Sequence, residues 1–177
     1  SDMLNLSKLQ AGAISVDSEP FDLTEQLYSC YYRFEPLAAL EDVTIEFECE
    51  PELIAIGDGN KIEEVLNNFV NNALKHYGED RKIIIKGYLK NKDYIRVEVT
   101  DHGTGIDEES LPYIWDRYYK IDKHYQRSRS GSGLGLAICR AILETYNCKY
   151  GVISKINEGS TFYFEIPTID LDKVETL

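Results

Sequence analysis

The amino-acid sequence predicts an α+β fold, a two-layer α/β sandwich in which three main helices cover one face of a mixed sheet of roughly five strands. Three observations carry this. Apolar residues recur at helical spacing through 58–77 and again through 134–146. Segments 43–49, 82–89 and 94–100 read as strands, the first alternating apolar and polar side chains as a half-buried strand does. No internal repeat runs through the chain.

The elements follow in order. Met3, Leu6 and Leu9 stand at helical spacing and Ala11-Gly12 supplies a stop, so the opening reads as the tail of a longer helix. After Glu19-Pro20-Phe21 the chain restarts, with Asp22 as N-cap of a helix running to about residue 39. Strand 43–49 and a shorter apolar strand, 53–56, come next. Helix 58–77 carries Ile62, Val65, Leu66, Phe69, Val70 and Ala73 on one stripe. Strands 82–89 and 94–100 are joined by a turn at Asn91-Lys92-Asp93. A loop with short helical pieces spans 101–119, and 120–132 is polar, basic and aperiodic. Helix 134–146 precedes two final strands, 150–156 and 161–166, around the turn Asn157-Glu158-Gly159.

With 177 residues, 43% of them hydrophobic, the chain is long enough for one domain with a substantial core. Acidic residues outnumber basic ones 31 to 19, a formal net charge of -12 that repels nucleic acid and anionic membrane. Any phosphate site must therefore be made locally. The four cysteines, Cys30, Cys49, Cys139 and Cys148, show neither Cys-x-x-Cys pairing nor zinc-ligand spacing, and read as reduced structural thiols. No apolar run is long enough to span a bilayer.

Three stretches carry chemistry. Asn68, Asn72 and Lys75 share a helix face beside the apolar stripe. Asparagine disfavours helix, yet Asn67, Asn68, Asn71 and Asn72 crowd together there. Their amide oxygens suit Mg²⁺ and the lysine suits phosphate; a solvated polar face is the alternative. Asp101-His102-Gly103-Thr104-Gly105-Ile106 follows a strand, where a carboxylate accepts from an exocyclic amine such as that of adenine. An ordinary turn is the alternative. Gly131-Ser132-Gly133-Leu134-Gly135-Leu136 opens an apolar helix, whose first N–H groups and dipole favour phosphate. It fits neither the dinucleotide fingerprint nor a Walker ending.

The three in this order resemble the catalytic domain of sensor histidine kinases, within the ATPase superfamily shared with gyrase, mismatch-repair ATPases and a heat-shock chaperone. Residues 68–77, 101–106 and 131–136 are similar to the family's N, G1 and G2 boxes. Ile114-Trp115-Asp116-Arg117-Tyr118-Tyr119-Lys120-Ile121-Asp122 resembles the F box, and Gly159-Ser160-Thr161-Phe162 the closing motif beside G2. The resemblance implies 1–12 as the C-terminal end of the dimerisation and phosphoacceptor helix, 13–168 as the catalytic ATP-binding domain, and 169–177 as a tail. It implies ATP and Mg²⁺ as cofactors, Asn72 as metal ligand, Asn68, Asn72 and Lys120 as catalytic, and Asp101 as reader of adenine. Lys75, His76, Gly103, Gly105, Ile106, Tyr119, Lys120, Gly131, Gly133, Leu134, Gly135, Leu136 and Thr161 complete the implied nucleotide site. His76 departs from the family's more frequent Tyr, and Lys120 from its Arg. Residues 120–131 would be a mobile lid.

Hydrolases of this superfamily place a Glu one helical turn before the metal-binding Asn; here that position is Asn68, whose amide has no usable basicity. A kinase is the implied activity, with a histidine Nε2 attacking the γ-phosphate in line. His76, His102 and His124 lie in or beside nucleotide motifs, and none is followed by the phosphoacceptor pattern Glu/Asp-x-Arg-Thr-Pro. The acceptor would belong to an upstream dimerisation domain, in a homodimeric, membrane-anchored bacterial receptor with this domain in the cytoplasm and a response regulator as partner.

Overall fold

A computed structural model describes residues 18–119 and 134–169. The expected dimerisation-helix end at 1–12, the basic stretch 120–132 and the tail beyond 169 lie outside the described residues.

The first element is β1 (Glu19–Asp22), a short strand where the sequence reads only a restart. Asp22 then caps α1 (Leu23–Leu40), its carboxylate accepting from Glu25 N at 2.9 Å. β2 (Thr44–Cys49) and β3 (Ile54–Gly57) follow. Asp58 caps α2 (Gly59–His76), accepting from Asn60 N at 2.9 Å and Lys61 N at 3.4 Å. Both caps satisfy amide groups that the first helical turn leaves without partners. β4 (Lys82–Leu89) and β5 (Tyr94–Asp101) form the central hairpin, then a single 3-10 turn at Leu111–Tyr113, α3 (Gly135–Thr145), β6 (Lys149–Lys155) and β7 (Gly159–Pro167).

The main sheet has five strands in the order β2-β4-β5-β7-β6, parallel only between β2 and β4, so it is mixed as predicted. β3 stands outside it, paired antiparallel with β1 in a two-stranded ribbon. Pro20 hides β1 in the sequence, because proline lacks a ladder donor and is tolerated only in such an edge position.

Alternation along the strands places the core. Ile83 and Ile85 of β4, Ile95, Val97 and Val99 of β5, and Phe162, Phe164 and Ile166 of β7 are buried on one face. The stripe of α2 meets them there, with the Phe69 ring 5.5 Å from Phe162 and 6.2 Å from Phe164. The opposite face is polar. On it Arg96 bonds Glu98 and Glu165, both at 2.9 Å, with its guanidinium 3.9 Å from the Tyr163 ring centre. The same period of two sets Asp101, at the end of β5, on the helix side.

The cysteines are free thiols among apolar neighbours, and burial pushes Cys30 up to about 11 and Cys148 to about 12. No helix among the described residues is long and apolar enough to cross a membrane.

Candidate functional site

The four clustered asparagines of α2, Asn67, Asn68, Asn71 and Asn72, part company in the structure. Asn67 Oδ1 accepts from the Arg33 guanidinium of α1, a packing role, and Asn71 is exposed. Asn68 and Asn72 are half-buried, one helical turn apart. Asn68 Nδ2 donates back to Glu64 O at 2.9 Å, which turns Oδ1 outward from the helix. That oxygen meets the start of α3: a Cβ on Gly135 would stand only 2.7 Å from it. Lys75 is exposed in the last turn. His76 beside it is half-buried, and burial, with Lys75 adding charge repulsion, holds its imidazole below the usual range.

Asp101 is 2% exposed, unusual for a carboxylate. Its Oδ1 accepts from Gly103 N at 2.9 Å. Burial pushes its pKa up to about 6, outweighing that bond and the nearby His102. The glycines after it serve close approach. Gly103 lies against the His76 carbonyl and Gly78 against the His102 carbonyl, each too near for a Cβ. Gly105, at φ 74°, adopts the left-handed conformation against Lys155 O. Ile106 is buried, its N–H donating to Ser154 Oγ at 2.7 Å. Ser154 Oγ also lies 2.7 Å from Ser160 Oγ, so hydroxyls tie this loop to the β6–β7 hairpin.

Thr161 does not join Asp101. Its hydroxyl pairs with that of Thr100 at 2.8 Å on the outer face of the sheet. The residue aligned with Asp101 across the ladder is Ser160, which is buried. The period of two in 159–167, where Phe162, Phe164 and Ile166 are the buried set, is the sequence signal that puts Ser160 on the inner face.

Of the remaining expected residues, Leu134 is buried at the N-cap of α3, and Gly135 and Leu136 are half-buried in its first turn. That helix start has no side-chain capping bond. Tyr119 sits beside Tyr113, ring centres 6.0 Å apart, and packs half-buried against the core. Lys120, Gly131 and Gly133 lie outside the described residues. An open cavity of about 660 Å³ runs around the end of the sheet, lined by Asp101, Ile106 and Ser160 on one side and by Thr100, Ile153 and Thr161 on the other.

Among the described residues no group of three or more His, Cys, Asp or Glu side chains is placed to hold a metal ion. The amide oxygens of α2 are hard donors that fit Mg²⁺ arriving with phosphate and water ligands, as that ion prefers.

Residues 57–170 match the family model described as histidine kinase-, DNA gyrase B-, and HSP90-like ATPase. The signal transduction histidine-protein kinase ArlS of Staphylococcus aureus (strain USA300) is 32% identical over 168 residues, covering 91% of this chain and 35% of that protein. The chain thus spans about a third of the length of the curated relatives it matches. Among solved structures, the catalytic domain of histidine kinase ThkA superposes with a TM-score of 0.74 at 30% identity, over 88% of this chain and 98% of that one. Full-length ShkA in complex with AMPPNP superposes with a TM-score of 0.83 at 25% identity, over 95% of this chain and 35% of that one.

Proposed function

Since the chain belongs to the histidine kinase-, DNA gyrase B-, and HSP90-like ATPase family and is the ATP-binding catalytic domain of a sensor histidine kinase, we propose that it binds Mg²⁺–ATP between α2, the turn after β5 and the start of α3, and passes the γ-phosphate to a histidine on a dimerisation domain. Buried Asp101 is the single observation that carries the reading. A carboxylate held at 2% exposure is costly unless a ligand repays it, and one oxygen already accepts from Gly103 N. Its remaining acceptor capacity suits the adenine amino group, with Ser160 opposite in the ladder to share the contact. Ile106 supports the base from the adjoining loop.

Asn72 is the residue that would hold Mg²⁺, with Asn68 turned toward the start of α3 and Lys75 toward phosphate. The ion supplies charge neutralisation when bound. Asn68 Oδ1 at Gly135 joins the amide face to the helix start that receives phosphate. The protein offers no carboxylate at position 68 to activate water, so transfer to imidazole, already a nucleophile, is favoured over hydrolysis. A homodimeric, membrane-anchored receptor holding this domain in the cytoplasm, with a response regulator downstream, is the setting this activity fits. Calorimetric titration with Mg²⁺–ADP tests the reading. Binding that weakens in EDTA and is lost in Asn72→Ala with the fold intact supports it; undiminished binding by that variant removes Asn72 from the site.

A further inference from the structure

Two segments that the nucleotide reading treats as separate parts are fastened to each other. The connector after α2 and the turn after β5 touch through backbone on both sides, with Gly78 against the His102 carbonyl and Gly103 against the His76 carbonyl. A side-chain pair closes the same contact: His102 Nδ1 lies 2.5 Å from Asp80 Oδ2. Asp80 is itself anchored, since its Oδ1 accepts from Lys82 N at 3.3 Å at the start of β4. Arg81 stiffens the connector further. It is left-handed at φ 52°, its N–H donates to Gly78 O at 3.0 Å, and its guanidinium reaches Glu41 O, at the end of α1, at 2.7 Å. One side of this fastening carries Asn72, Lys75 and His76; the other carries Asp101.

We propose that Asp80 and His102 are positioning residues, a latch that sets the spacing between the phosphate-facing end of α2 and the adenine-reading carboxylate of Asp101. The inference rests on the nucleotide reading above. A ligand that spans both ends gains from fixed spacing, because the protein then loses less freedom on binding it. A ligand that touches only Asp101 gains nothing. The pair therefore acts on discrimination between short and long ligands, beyond its effect on stability.

Calorimetry with adenosine and with Mg²⁺–ADP on the same proteins tests this. Asp80→Ala and His102→Ala should each weaken Mg²⁺–ADP by about two- to fivefold, the lower range for one lost hydrogen bond, and leave adenosine binding unchanged. The double variant should lose no more than either single, and Asp80→Asn, which keeps an acceptor for Nδ1, should bind Mg²⁺–ADP like the parent. Thermal melts of each variant without ligand separate affinity from folding. Equal weakening of adenosine and Mg²⁺–ADP, or additive losses in the double variant, would overturn the latch. Parent-like Mg²⁺–ADP binding by all variants would overturn it too while leaving the nucleotide site standing, whereas a parent protein that binds neither ligand would overturn both.

Discussion

Asn68 of α2 and Gly135 of α3 meet so closely that the amide oxygen occupies the space a side chain at 135 would need, 2.7 Å from the position of its Cβ. This contact joins the two helices that flank the proposed phosphates. It also explains why the helix opens on glycine where alanine would favour helix.

Gly135→Ala should therefore be a coupled lesion. The methyl group forces Asn68 off its bond to Glu64 O, at a cost of about 1–3 kcal/mol for overpacking, partly offset by the better helix former. Urea denaturation should show net destabilisation that is relieved when Asn68→Ala is added. A double variant no more stable than Gly135→Ala alone would show that the two residues do not touch.

Asp101 makes stability and binding respond to pH in opposite senses. Its folded pKa of about 6 lies above the ordinary value of 3.8. The stabilising share of this group is then complete below about pH 4 and lost as pH rises through 6. Without nucleotide, Asp101→Asn should be more stable than the parent at pH 7.5, by at most about 3 kcal/mol, and equal to it near pH 4. ADP affinity of the parent should fall as pH drops through 6, and that of Asp101→Asn should be low throughout. Melts and titrations across pH 4–8 check both halves; a parent affinity flat across this range would remove the ionised carboxylate from the site.

Much of this was legible locally. The stripe of α2 and the cap Asp22 depend on neighbours within a turn, and the structure has both where the sequence reads them. Features set by distant partners were not. β1 exists only because β3 pairs with it, and Pro20 argues against it from sequence. Asn67 and Asn68 look alike until Arg33 of α1 takes the first. His102 and Asp80 sit on different elements, and only the turn of the chain after α2 brings them together.

Ser160 and Thr161 should separate by face. Ser160→Ala removes a buried hydroxyl opposite Asp101 and should weaken ADP binding, by roughly 1 kcal/mol for a lost hydrogen bond. Thr161→Val removes the outer-face pair with Thr100 and should leave affinity unchanged while lowering stability slightly. The reverse pattern in a titration would return Thr161 to the nucleotide site.

Adenine should be preferred over guanine for the same carboxylate. The guanine O6 would set acceptor against acceptor at Asp101, a buried mismatch costing about 1–3 kcal/mol. Competition of GDP against bound ADP measures it, and equal affinities would contradict the assignment.

The γ-phosphate should pass to histidine instead of water. The direct measurement is incubation with γ-labelled ATP and Mg²⁺ beside a separate dimerisation domain bearing a histidine followed by the Glu/Asp-x-Arg-Thr-Pro pattern. Label should appear on that domain as acid-labile, base-stable phosphate, slowly because the domains are untethered, with little free phosphate released and none on His76, His102 or His124. Rapid phosphate release with no labelled acceptor would contradict the account and make the protein a hydrolase.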